Sequence, residues 1–281
     1  MPDRVWIGGT SSVWSLAANW STATVPIAGD DVYIVSGSVS ITGYDASAVT
    51  LGRLVVGSQY TGTIGGSVAK MQISATDFDF SGSQDCYFEG DYTTLTVQDT
   101  AATSTALNLS GAGTDNITTL RILGGKGTVN VEASQELTTI EQIGADGVTL
   151  NIADTVTMTS ATLTMDSGVV EMAEAIATIT IFGGELKSTI GSGTVTTLDQ
   201  YGGRVRWNPS ATCTISTLNL FAGLFDSSNS TAPAFTITNT TIHEQGVLNE
   251  QSGLLNATFS TALNMEGGEI KYDAGRTVAI I

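Results

Sequence analysis

Apolar and polar residues alternate with period two along the second half of the chain, as in Thr128-Val129-Asn130-Val131, Val148-Thr149-Leu150-Asn151-Ile152 and Glu269-Ile270-Lys271-Tyr272. That period places successive side chains on opposite faces of a strand, and no 3.6-residue helical period runs through these intervals. The strands belong to a phrase that recurs: an apolar strand, a glycine corner, another strand. It reads Thr119-Leu120-Arg121-Ile122-Leu123-Gly124-Gly125, then Thr139-Ile140-Glu141-Gln142-Ile143-Gly144 and Thr162-Leu163-Thr164-Met165-Asp166-Ser167-Gly168. Close copies begin at Thr178, Thr197, Thr217 and Ala262, and Thr241-Ile242-His243-Glu244-Gln245-Gly246 is a degenerate one. The leading apolar residues, Leu120, Ile140, Leu163, Ile179, Leu198, Leu218, Ile242 and Leu263, follow at intervals of 20, 23, 16, 19, 20, 24 and 21 residues.

Strands that return in one phase with no helix to cross over a sheet stack in parallel only if the chain coils. The pattern therefore predicts an all-β fold, a right-handed parallel β-helix (solenoid) of about 20 residues per coil, with those eight residues as an inward column. Upstream, Val39-Ile41, Leu54-Val55-Val56, Met71-Ile73, Phe78-Phe80 and Leu95-Val97 keep the alternation between Gly-, Asp- and Ser-rich turns, which extends the coil back to about residue 35 and makes roughly twelve coils. The expected organisation is residues 1–34 as a Trp-rich N-terminal cap or docking segment and 35–281 as the β-helix. A propeller or sandwich would need repeated hairpin turns of Asn-Gly or Asp-Gly type, and Asp146-Gly147 is the lone example.

Charge narrows the function classes. With 27 acidic against 10 basic side chains the net charge is −17, which repels phosphate backbones and anionic lipid, so neither nucleic acid nor membrane is an expected partner. No run approaches the roughly 18 apolar residues of a membrane helix. The N-terminus turns polar by Gly8 and lacks the apolar core of a secretory signal. Cys86 and Cys213 lie some six coils apart and are expected to be free thiols, Cys213 in the core.

Trp6, Trp14 and Trp20, three of the four Trp, fall in the first 34 residues. An open solenoid exposes the end of its core, so a lid is the first reading of this segment and a carbohydrate-binding or docking surface the second. The arrangement Trp6-Ile7-Gly8-Gly9, Trp14, Asn19-Trp20, Val25-Pro26 and Gly29-Asp30-Asp31-Val32-Tyr33-Ile34 resembles the opening of bacterial surface β-helix adhesins and of some phage virion proteins. The whole chain resembles tailspike-like β-helix proteins that trimerise on phage particles, as tailspikes or as capsid cement and decoration proteins. That resemblance implies a non-enzymatic virion structural protein on the capsid exterior, made in the host cytoplasm, with itself (a homotrimer) and the major capsid protein as partners. A tailspike that binds or cleaves host polysaccharide, with a glycan partner, is one alternative, and a bacterial surface adhesin the other.

The residues themselves offer little catalytic chemistry. There is one His, no Cys pair at metal-ligand spacing, and no cofactor or metal is expected. Glycan cleavage needs two carboxylates about 5–9.5 Å apart; Glu171, Glu174 and Glu185, Asp199 with Asp226, and the run Asp77, Asp79, Asp85, Glu89, Asp91 are the candidates. The outward positions of the repeated strand read Arg121, Glu141, Thr164, Thr180, Asp199, Asn219, His243 and Asn264, a small polar surface. More informative are the residues just before the glycines: Leu123, Ile143, Asp166, Phe182, Tyr201, Phe221, Gln245 and Glu266. Phe182, Tyr201 and Phe221 fall on consecutive coils and are expected to stack as an exposed ladder, with Leu123 and Ile143 extending the candidate interface, unless the turn folds these rings into the core.

Overall fold

The computed structural model is an all-β parallel solenoid of about 10 turns, with about 21 residues per turn and nearly no helix. It describes residues 3–9, 11–98, 100, 105–111, 115–132, 135–158, 160–228, 235–250 and 257–272. The turns are fewer and slightly longer than the twelve twenty-residue coils expected. Antiparallel hairpins of a propeller do not occur in the described strand pairs; the one antiparallel bridge, Trp6 to Trp20, lies outside them. A single 3-10 turn, Ala17–Asn19, is the helical element among the described residues. The contacts divide the chain into two compact units, residues 1–141 with 145–151 and 155–157, and residues 142–144 and 152–154 with 158–281.

In the first unit the strand Asp3–Val5 pairs in parallel with Asp31–Gly37, so the ladder starts at Asp3. Asp31–Gly37 pairs in turn with Asp45–Tyr60, and that strand with Met71–Phe80. Tyr92–Val97 and Asp115–Ile122 follow in the same register. Val32, Leu54, Phe78, Leu95 and Leu120 thereby form one inward column, and Ile34, Val56, Phe80, Val97 and Ile122 a second; all ten are buried. Each such side chain contributes about 1.5–3 kcal/mol by leaving water. Between Asp45 and Thr50 the strand carries residues without counterparts opposite, which is why the alternation is hard to read there.

Trp6, Trp14 and Trp20 are all 2 % exposed or less. Trp20 meets Trp14 and Trp6 edge to face, with ring centroids 4.5 and 5.2 Å apart, and its Nε1–H donates to the Trp14 carbonyl at 2.8 Å. The buried Asn19 amide donates to the Val13 carbonyl at 2.8 Å and fastens the intervening loop. Arg4, opposite Val32 in register, turns its guanidinium to the buried carboxylate of Asp30 at 2.8 Å.

The second unit stacks Thr162–Met165, Thr178–Ile181, Gly193–Gln200 and Cys213–Asp226, with Leu163, Ile179, Leu198 and Leu218 directly over one another and buried. The next member of that column is Thr240, then Leu263; Ile242 stands over Leu220 instead. The expectation that Ile242 continues the Leu218 column is therefore corrected by two residues. A polar Thr240 takes the core position, buried to 1 %, while Ile242 fills the adjoining apolar column. The glycine corners lie on one another too: Gly203 has φ +67°, and a Cβ there would meet the Gly184 carbonyl oxygen at 2.6 Å, so only glycine lets the corners close. Gln200, inward between Ile181 and Leu220, is fully buried and its Nε2 donates to the Gly203 carbonyl at 3.2 Å, bracing the corner from inside.

Candidate functional site

The strands before the glycine corners end on the predicted ladder. Phe182 and Tyr201 stack with centroids 5.2 Å apart and planes 17° from parallel; Tyr201 and Phe221 stack at 4.4 Å with parallel planes. Phe182 remains 54 % and Tyr201 43 % exposed, so the rings do not fold back into the core. A fourth ring, His243, stacks on Phe221 at 4.3 Å and 9°. Sequence spacing had placed His243 in the polar column with Asp199 and Asn219 and put Gln245 on the ladder. Both placements are corrected by the register: Asn219 faces Thr241 and Leu220 faces Ile242, so His243 comes opposite Phe221, and a bulge there adds Glu244 before Ala222 faces Gln245. Thr241 sits opposite Asn219 in the polar column. The signal for the register was the interval of 24 from Leu218 to Ile242, the longest of the seven, two residues more than the one from Leu218 to its partner Thr240.

Beyond His243, Glu266 stands next in register on Ala257–Tyr272. Its carboxylate lies 2.9 Å from His243 Nδ1 and also accepts the Asn264 amide at 3.0 Å. At the other end Phe182 follows Asp166 in the column, since its N–H donates to the Met165 carbonyl at 2.8 Å. The Asp166 carboxylate accepts the Gly144 N–H at 2.8 Å. Ile143 is exposed, but the charged Asp166 separates it from the rings. Leu123, in the first unit, is likewise exposed. Alongside the ladder runs the polar column of Thr164, Thr180, Asp199, Asn219 and Thr241, in which the Asn219 amide donates to Asp199 at 2.7 Å.

Most of the carboxylates named as catalytic candidates are placed with partners. Glu171 lies 2.8 Å from Lys187, and Glu185 lies 2.7 Å from Arg206, on the strands that follow the corners. Glu174 accepts the Ala175 N–H at 3.1 Å. Asp199 and Asp226 are not brought together: Asp199 faces Asn219, whereas Asp226 faces Arg206 beyond the corner. Asp226 is buried, which by itself raises its pKa, but hydrogen bonds from Ser228 and the Arg204 guanidinium at 2.5 Å outweigh burial and hold it below the usual carboxylate range. In the first unit Asp79 pairs with Arg53, Asp85 accepts the Ala106 N–H, Glu89 accepts the Gln72 amide and Asp91 accepts the Asn116 N–H. Among the described residues no group of three or more His, Cys, Asp and Glu side chains converges as a metal site would, and no helix is long and apolar enough to cross a membrane.

A further feature escaped the sequence reading. Asn108, Asn130 and Asn151 form an amide ladder in the first unit, each donating to the previous one at 2.8 and 2.9 Å. Isolated Asn residues about twenty apart carry no visible signal until the register is known. The cysteines are both free and buried, and burial pushes the thiols up, to about 12 for Cys86 and about 11 for Cys213. Compared with family models, curated proteins and solved structures, the chain has no match in any of the three.

Proposed function

We propose that the chain is a non-enzymatic structural protein, a right-handed solenoid closed at its N-terminal end by the Trp6, Trp14 and Trp20 segment, that assembles as a homotrimer along its aromatic edge. In this reading it is capsid cement or decoration on the exterior of a phage virion, made in the host cytoplasm, with the major capsid protein as its other partner. The four-ring ladder, with Phe182 and Tyr201 exposed and Phe221 and His243 half-buried, carries the proposal. Phe and Tyr side chains bury about 150–250 Å² each when covered, so a file of them left open on a Thr- and Asn-rich surface is a contact surface. A closed symmetric assembly covers the same patch on every copy.

The stacking geometry also favours a protein partner over a sugar. A pyranose packs on the face of an aromatic ring, and in this ladder the faces of Tyr201 and Phe221 are taken by their neighbours, which leaves ring edges for a partner. Ring edges suit aliphatic groups and other ring faces. The candidate acids support the non-enzymatic part: Glu171 and Glu185 are engaged by Lys187 and Arg206, and Asp226, held below the usual carboxylate range, does not keep the proton a general acid needs. The second reading, a spike that binds or cuts host polysaccharide, draws on the polar column Asp199, Asn219 and Thr241 beside the ladder, whose carboxylate, amide and hydroxyl suit sugar hydroxyls.

Phe221→Asp tests the reading, because it sets a charge in the middle of the stack. Sedimentation is expected to give three times the 29.0 kDa chain mass for the parent and the single-chain mass for the variant, with unchanged β-sheet circular dichroism. An unaltered trimer mass in Phe221→Asp would remove the ladder from the interface. Retention of the parent, and its loss from the variant, on an array of bacterial capsular polysaccharides would favour the spike.

A further inference from the structure

We infer that His243 makes the aromatic-edge assembly sensitive to pH, tightening it as the imidazole takes up a proton; this rests on the proposed ladder interface. His243 is the terminal ring of the stack, 4.3 Å from Phe221, with its Nδ1 2.9 Å from the Glu266 carboxylate. The charged groups that face it are few. From the strand Ala257–Tyr272 it meets Glu266, from its own strand Glu244 follows it, and the strand Cys213–Asp226 presents the uncharged Phe221 ring. Among the described residues these charges are negative.

In the free chain the Glu266 side chain is about half exposed and water screens it. When a second copy covers the ladder, that screening is lost, and a carboxylate beside a neutral imidazole is left as an uncompensated charge at the interface. Protonation of His243 removes it: the imidazolium donates a charge-assisted hydrogen bond to Glu266 and presents a cation to the face of Phe221. Assembly therefore takes up protons. The sign follows: assembly is tightest below the range where free imidazoles titrate and weakens as pH rises through it. That range, pH 5 to 8, lies above the carboxylates as a class and below the two cysteine thiols, and His243 is the one histidine of the chain.

The test is analytical ultracentrifugation of the full chain from pH 5.5 to 8 at fixed ionic strength, for the parent, His243→Gln and Glu266→Gln. The parent is expected to dissociate severalfold more readily at the upper end of this range than at the lower. His243→Gln and Glu266→Gln are expected to assemble with a flat profile, and since both positions are partly exposed they fold as the parent does. A parent-like slope in His243→Gln would overturn the switch while leaving the interface standing, provided Phe221→Asp still dissociates. Assembly that survives Phe221→Asp would instead overturn the interface reading, and the switch with it.

Discussion

Leu198→Asp is expected to unfold the coils around it, and Leu198→Ala to lower the unfolding free energy by about 2–5 kcal/mol. Leu198 is fully buried between Ile179 below and Leu218 above. Deleting its branches leaves a cavity that rungs fixed by backbone hydrogen bonds cannot close. An aspartate at that place has no partner within the apolar column, so its carboxylate is either desolvated or must open the stack. A solenoid gains stability from interfaces between neighbouring coils, and damage at one rung withdraws support from both adjacent rungs. Urea unfolding followed by circular dichroism measures the effect. A loss below about 1 kcal/mol for Leu198→Ala would mean that Leu198 does not sit in a packed interior.

The second large effect is expected from Trp20→Ala, about 3–5 kcal/mol by the same measurement. Trp20 touches both other indoles of the segment and its Nε1–H satisfies the Trp14 carbonyl. Its removal takes away two edge-to-face contacts and leaves that carbonyl unpaired. Because residues 6–30 between the strands Asp3–Val5 and Asp31–Gly37 lie outside the parallel strands, the loss should be seen first as a new protease-sensitive site there. If Trp20→Ala unfolds at the parent's urea midpoint and resists protease equally, the indoles are not what holds the segment down.

Much of this fold was legible because its repeat is chemical. A β-branched or aliphatic residue must occupy Leu163, Ile179, Leu198 and Leu218, and glycine must occupy the corner at Gly203, so the period is visible in the sequence. Legibility failed where physics allows substitution. Thr240 fills a core position with a methyl and a hydroxyl, and Ile242 two residues later looks the better candidate for the Leu218 column until the register is seen. Gln200 is buried at a place where Ile181 and Leu220 stand in the adjacent coils, because its amide reaches the corner carbonyl. For the candidate site, parity and spacing indicated Phe182, Tyr201 and Phe221 as one exposed file. They missed His243, whose place is set by the pairing of Leu220 with Ile242 and not by its distance from any glycine.

Methyl–methyl nuclear Overhauser contacts in a chain labelled at its Ile and Leu methyls test the winding of the chain most directly. Adjacent rungs of a parallel stack lie about 4.8 Å apart. Leu198 is therefore expected to give cross-peaks to both Ile179 and Leu218, and Ile242 to Leu220 in preference to Leu218. Leu198 cross-peaks to neither Ile179 nor Leu218 would contradict the solenoid.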